Sequence, residues 1–248
     1  MARLGVDCLI VGGGPARLTA AIYAPRFRLS VCLIDAGRGR AEQIPLPRNH
    51  ARFPDGVSGA ELVQRMRRQA EKWGAELRSG VVEQLVLRPD GFTASFAGGE
   101  ITARAVLLAT GVTNHRPAMS EAVHAEALAA GRLRYCPVCD GFEVIDQSVA
   151  VIGTSARGTK EALFLRSFTN RVTLVAPDSG HHLAAEERRA LTDASVVVAD
   201  GPIDAIALEQ AGLRLTFGAT DHLLGLRRPA PLSQRRHPAG LSKRIRIS

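Results

Sequence analysis

Residues 5–11 read Gly-Val-Asp-Cys-Leu-Ile-Val, an apolar run interrupted by Asp7, and Gly12-Gly13-Gly14-Pro15 follows at once. The pattern predicts a strand over 5–11 and a helix from near Pro15, with Leu18, Ala21 and Ile22 on one face. A second apolar run, residues 31–35, ends in the carboxylate of Asp35. An amphipathic helix is predicted from Ser58, an N-cap with Glu61 three residues on, to about residue 73. Alternating segments at 81–87, 92–96 and 100–103, separated by turns at Pro89-Asp90-Gly91 and Gly98-Gly99, predict a small antiparallel meander. A further strand over 104–109 closes at Thr110-Gly111. The opening order then recurs, as a strand at 148–152, a turn from Gly153 to Gly158, a helix over 159–168 and a strand over 171–175. The fold class expected is α/β, with two Rossmann-like βαβ nucleotide-binding units and the meander.

A strand, a glycine turn, a helix and a strand ending in an acid, all within about 30 residues, form the pattern that binds dinucleotides. Glycines let the backbone approach a pyrophosphate, the helix N-terminus offers free N–H groups to it, and the acid binds ribose hydroxyls. Asp35 lies 21 residues after Gly14, close to the spacing that role needs. The simpler alternative is an ordinary α/β turn that caps a helix. Two such units imply two cofactors brought face to face, and between them lies Arg134-Tyr135-Cys136-Pro137-Val138-Cys139-Asp140-Gly141. One C-x-x-C supplies two of the four ligands of a structural zinc site, and nearby histidines such as His124 lack ligand spacing. The pair therefore reads as a redox dithiol, with no metal. Cys8 and Cys32, inside apolar runs, read as small buried hydrophobes.

Composition sets the outer limits. The 248 residues are 46% hydrophobic and 23% charged, an ordinary globular balance for one to two domains. No apolar stretch is long enough to span a bilayer, and the N-terminus does not read as a signal peptide, so a cytoplasmic protein is expected. The net charge of +8 is localised: from Arg227 onward there are seven basic side chains and no acid, leaving 25 basic against 24 acidic before it. That tail has no aromatic for base stacking and no lipidation signal, so neither nucleic acid nor membrane is expected as a partner.

The strings Gly12-Gly13-Gly14-Pro15-Ala16, Ala109-Thr110-Gly111, Cys136-Pro137-Val138-Cys139-Asp140-Gly141 and Glu161-Ala162-Leu163-Phe164-Leu165 resemble those of the thioredoxin reductase-like family of the low-molecular-weight type. The resemblance runs from about residue 4 to residue 217. It implies a domain for flavin adenine dinucleotide (FAD) over 1–114 and a domain for NADPH or NADH over 115–221 that carries the dithiol. A hinge near 115–117 and a homodimer are also implied. By that pattern Gly12, Gly14, Pro15, Ala16, Asp35, Thr110 and Gly111 contact FAD, and Gly153, Ser155 and Gly158 face the nicotinamide dinucleotide. Cys139 is the thiol beside the flavin, Cys136 attacks the disulfide of a thioredoxin-like protein or a small disulfide substrate, and Asp140 shuttles a proton. A plain turn role before Gly141 is the alternative for Asp140.

Four features depart from the family pattern. Arg17 stands at the third fingerprint glycine, where it must snorkel out or push the helix away. Pro25 falls inside the predicted first helix, where an interior proline costs about 3 kcal/mol, so a kink or an end near Ala24 is expected. Ser155 replaces a glycine in the second fingerprint, and Ala176-Pro177-Asp178 stands where the family carries arginines for a 2′-phosphate; Asp178 suits an unphosphorylated ribose, and Arg188 and Arg189 read as solvated. After Phe217 the return segment of the FAD domain is not recognisable, and residues 222–248 read as a disordered tail or a truncated or frame-shifted terminus. Weak flavin retention follows. Two other functions fit the same residues: a dithiol oxidase that passes electrons through FAD to oxygen, and a catalytically impaired remnant that at most binds a partner.

Overall fold

A computed structural model describes residues 4–37, 39–112, 114–178, 180–210, 212–217 and 220–225. The chain divides between Cys139 and Asp140 into two compact units. That boundary lies beyond the one drawn at residue 114 from the sequence and leaves the segment leading to the dithiol with the first unit.

In the first unit, β1 (Leu4–Val11), α1 (Pro15–Arg26) and β2 (Val31–Asp35) form the expected βαβ arrangement. A 3-10 turn (Arg40–Gln43), α2 (Gly59–Lys72), β3 (Glu76–Ser79), β4 (Val82–Arg88), β5 (Gly91–Phe96), β6 (Gly99–Leu108), and, after the sheet, α3 (Glu121–Ala129) follow. One six-stranded sheet runs in the order β3-β2-β1-β6-β5-β4. β1 pairs in parallel with both β2 and β6, and the meander β4-β5-β6 is antiparallel. The two strands predicted over 100–109 are thus a single strand, whose first half pairs with both β5 and β1. Residues Ile10, Leu18, Ala21, Ile22, Leu33 and Val63 pack α1 and α2 on one face of the sheet. Leu9, Cys32, Ile34, Ala94 and Ile101 are buried on the other.

α2 begins as predicted, with Ser58 Oγ accepting from the Glu61 N–H. α1 does not stop at Ala24 but runs through Pro25 to Arg26. The helix ends one residue past Pro25, so the missing N–H removes only a bond of the last turn, and the Phe27 and Leu29 N–H groups close on the Ala24 carbonyl.

In the second unit β7 (Ser148–Ile152), β8 (Arg171–Val175) and β9 (Val197–Ala199) form a parallel three-stranded sheet in that order. It is crossed by α5 (Ser155–Leu165) and α6 (Ala185–Asp193), numbered after the short α4 (Pro137–Asp140) at the dithiol. α5 starts inside the predicted glycine turn, four residues earlier than expected. An antiparallel sheet β10-β11-β12 (Ala205–Glu209, Gly212–Phe217, Thr220–Gly225) follows. β12 extends into the segment read as tail; the remainder of that segment lies outside the described residues. Among the described residues no helix is long and apolar enough to cross a membrane.

Candidate functional site

The first glycine cradle sits at the C-terminal edge of the six-stranded sheet. β1 leads to β2 and β3 on one side and neighbours β6 on the other, so the strand order reverses between β1 and β6. In open α/β sheets, ligands bind outside the carboxyl ends of strands at such a point. Gly12 leaves β1 with φ +106°, a left-handed conformation that favours glycine. Gly14 is the N-cap of α1 and offers no side-chain cap, and Pro15 occupies the first turn. Gly111, beyond β6, forms the other lip of the crevice. Gly12, Gly14, Pro15 and Ala16 form the passage from β1 into α1, and Thr110 and Gly111 follow the end of the neighbouring β6.

Arg17 does not snorkel out. It is 8% exposed and turned inward over the glycines. A Cβ built on Gly12 would meet its guanidinium carbon at 2.6 Å, one on Gly14 its Nη1 at 3.3 Å, and one on Gly111 its Nη2 at 2.8 Å. The side chain can do this because position 17 follows the helix start directly, where inward space is bounded by hydrogen-only glycine surfaces.

Asp35, 7% exposed at the end of β2, has its carboxylate directly against Gly13 and forms an ion pair with Arg67 of α2, with Glu42 3.9 Å from the same guanidinium. Arg67 was not singled out from sequence. Its signal is spacing: it shares a helical face with Val63 and Ala70, both buried, so a charge there faces inward and needs a partner.

Cys136 and Cys139 form a disulfide, with Cα atoms 5.2 Å apart. Both are half-buried, and the Cys139 N–H is shared between the Cys136 carbonyl at 3.1 Å and Cys136 Sγ at 3.2 Å. The segment is anchored through Tyr135, whose carbonyl accepts from Arg40 Nη2 at 2.6 Å and whose hydroxyl lies 2.8 Å from His124 Nε2. Burial pushes the Tyr135 phenol up, which keeps that hydroxyl protonated. Neither anchor was read from sequence, since the partners lie 95 and 11 residues away. Asp140 is buried and Val138 is exposed. The other cysteines are poor nucleophiles: burial pushes the Cys8 thiol up, and pushes Cys32 up to about 11. No cluster of three or more metal-binding side chains occurs among the described residues.

In the second cradle, buried Gly158 packs α5 onto the turn after β7, where a Cβ would lie 2.9 Å from the Gly153 carbonyl carbon. Ser155 begins α5 with φ +57°, so it takes a left-handed conformation at the position where the family fingerprint has glycine. Thr154, the N-cap, makes no side-chain cap bond. Asp178 is exposed beyond β8, as are Arg188 and Arg189 on α6.

A family profile described as "Pyridine nucleotide-disulphide oxidoreductase" matches residues 6–196. The chain is 32% identical over 228 residues to "Thioredoxin reductase" of Streptomyces coelicolor, covering 89% of this chain and 70% of that one. It is 31% identical over 201 residues to "NADPH-dependent thioredoxin reductase 3" of Arabidopsis thaliana, covering 77% of this chain and 37% of that one. The solved thioredoxin reductase of Streptococcus pyogenes is similar with a TM-score of 0.78 and 27% identity, over 90% of this chain and 76% of that one. The chain spans from 37% to 70% of the curated relatives it matches.

Proposed function

The chain belongs to the pyridine nucleotide-disulphide oxidoreductases, within the thioredoxin reductase-like group, and from that premise we propose that it is a flavin-dependent disulfide reductase acting on a thioredoxin-like protein. The observation that carries this reading is the Cys136–Cys139 disulfide in a chain that also builds two glycine cradles.

The first cradle suits the diphosphate of FAD. Its glycine surfaces admit a close approach, its helix start has no side-chain cap, and the one group filling the space is the flexible, cationic end of Arg17. Gly12, Gly14, Pro15, Ala16, Thr110 and Gly111 would hold it, with Asp35 toward the ribose. Gly153, Ser155 and Gly158 would hold NADPH or NADH, and the exposed Asp178 with no arginine at 176–178 favours the unphosphorylated ribose of NADH. Bound flavin supplies two-electron exchange between a nicotinamide hydride and a disulfide.

Once reduced, Cys136 is the better attacking thiol, because the Cys139 N–H, shared with the Cys136 carbonyl, reaches its sulfur and helps to stabilise a thiolate there. The Cys136 thiolate attacks one sulfur of the partner's disulfide, forming a mixed disulfide and releasing the partner's first thiolate. Cys139 then attacks Cys136 Sγ, which restores the internal disulfide and releases the partner's second thiol. Asp140, next to Cys139 in the chain, is assigned the proton exchanged as Cys139 leaves and returns. The functional division follows as an FAD domain over 1–114 and a nicotinamide domain over 115–221, in a homodimer.

The altered second fingerprint favours one further reading, in which a small dithiol reduces the Cys136–Cys139 disulfide and the electrons leave through flavin to oxygen as hydrogen peroxide. Turnover with added FAD separates the two. Consumption of NADH or NADPH that depends on oxidised thioredoxin supports the reductase. Oxygen uptake driven by dithiol alone supports the oxidase, and the absence of both leaves only a binding role.

A further inference from the structure

We propose that Arg17 is a diphosphate-binding residue that this chain has added to the first cradle. The proposal rests on the reading of that cradle as the FAD site. α1 begins with backbone N–H groups that no side chain caps, which by itself says little. The second observation is the arginine. Arg17 is more than nine-tenths buried, its guanidinium is aimed into the crevice between the ends of β1 and β6, and it has no hydrogen-bond or ion-pair partner among the described residues. The Asp35 carboxylate, which lies against the neighbouring Gly13, is paired with Arg67.

None of its nitrogens is sealed from solvent without a partner, but the charge has no anionic partner among the described residues, and a bidentate anion entering the crevice supplies one. Its fork geometry matches two phosphate oxygens, and the helix start beside it carries positive potential of the same sense. The atoms that would obstruct a ligand are the far end of the side chain, within 3.3 Å of Gly12, Gly14 and Gly111 positions alike. A small rotation moves them from the glycine surface to the outer oxygens of a diphosphate lying on that surface. Arg17 thereby replaces the close helix packing of a third glycine with a charge that grips the ligand.

The experiment titrates flavin-stripped full-length protein, wild type against Arg17→Met and Arg17→Lys, with FAD and with riboflavin, which lacks the diphosphate, and records melting with and without inorganic pyrophosphate. The proposal expects Arg17→Met to weaken FAD by about tenfold or more, the scale of one charge-assisted pair. Arg17→Lys should fall between, and riboflavin affinity should not change. Pyrophosphate should raise the wild-type melting temperature but not that of Arg17→Met, and the wild-type FAD affinity should fall more steeply with salt. If Arg17→Met binds FAD as tightly as wild type or tighter, Arg17 is only an obstruction; the proposal falls and the FAD cradle stands. If no form binds FAD or pyrophosphate, the cradle reading falls and the proposal with it.

Discussion

Replacing Gly158 by alanine sets two known effects against each other. An alanine within a helix gains about 1 kcal/mol over glycine from propensity. Against it, the new Cβ would stand 2.9 Å from the Gly153 carbonyl carbon, 3.2 Å from its oxygen and 3.1 Å from Leu174 Cδ1. Carbon pairs rest at about 3.5–4.0 Å, so α5 would have to withdraw from the β7 turn by roughly half an ångström or more. Neither neighbour yields easily. Gly153 is backbone whose N–H is bonded to the Val175 carbonyl, and Leu174 is fully buried. Such overpacking costs about 1–3 kcal/mol, and after the propensity gain a net loss of up to about 2 kcal/mol remains. At roughly 2–4 °C per kcal/mol, the melting temperature falls by up to about 8 °C. Circular dichroism melts of the full chain, with hydrogen exchange of the α5 and β7 amides, give the assay. A Gly158→Ala protein that melts higher than wild type, with α5 exchange unchanged or slowed, would show the propensity gain alone and refute the close-packing argument.

Ser155→Gly runs the other way: removing a side chain from a left-handed residue relieves about 1 kcal/mol, so the variant should melt higher by a few degrees, as calorimetry would show. Cys139→Ser should abolish turnover and leave Cys136 able to form a stable mixed disulfide with an oxidised thioredoxin, visible on a non-reducing gel; Cys136→Ser should form none. Cys32, raised from its ordinary 9.0 to about 11 by burial, should resist alkylation at neutral pH in the folded chain. Because its folded value is the higher one, the neutral thiol favours the native state. That contribution is complete below about pH 9 and is lost as pH rises toward about 11; Cys32→Ala should flatten the alkaline loss in a stability–pH series.

Both βαβ units and the C-x-x-C were legible because each is encoded by neighbours within a few tens of residues: apolar runs, glycine turns and a short Cys spacing. What escaped was set at a distance. β3 has no alternation of its own and exists because Glu76–Ser79 completes the parallel edge of β2. The join of the meander to β1 runs along β6 from Ile101 to Leu108, across residue 103, where the polarity pattern had broken the strand in two. Of the site residues, the cradle glycines and Asp35 follow from their spacing, but the Asp35–Arg67 pair spans 32 residues and the Arg40 anchor to Tyr135 spans 95. Arg17 was noticed as a departure, yet its direction could not be read from the sequence. An arginine at a helix start turns inward only where nearby glycines, including Gly111 from a distant strand, leave it room.

The central claim is that reducing equivalents from a nicotinamide reach the Cys136–Cys139 disulfide. The direct measurement adds NADH or NADPH anaerobically to the FAD-loaded full chain, quenches with an alkylating agent and counts modified cysteines by peptide mass spectrometry. The account predicts that alkylation appears at Cys136 and Cys139 together, only when FAD and a reduced nicotinamide are both present, while Cys32 stays unmodified. A flavin that bleaches while both sulfurs remain joined would contradict it.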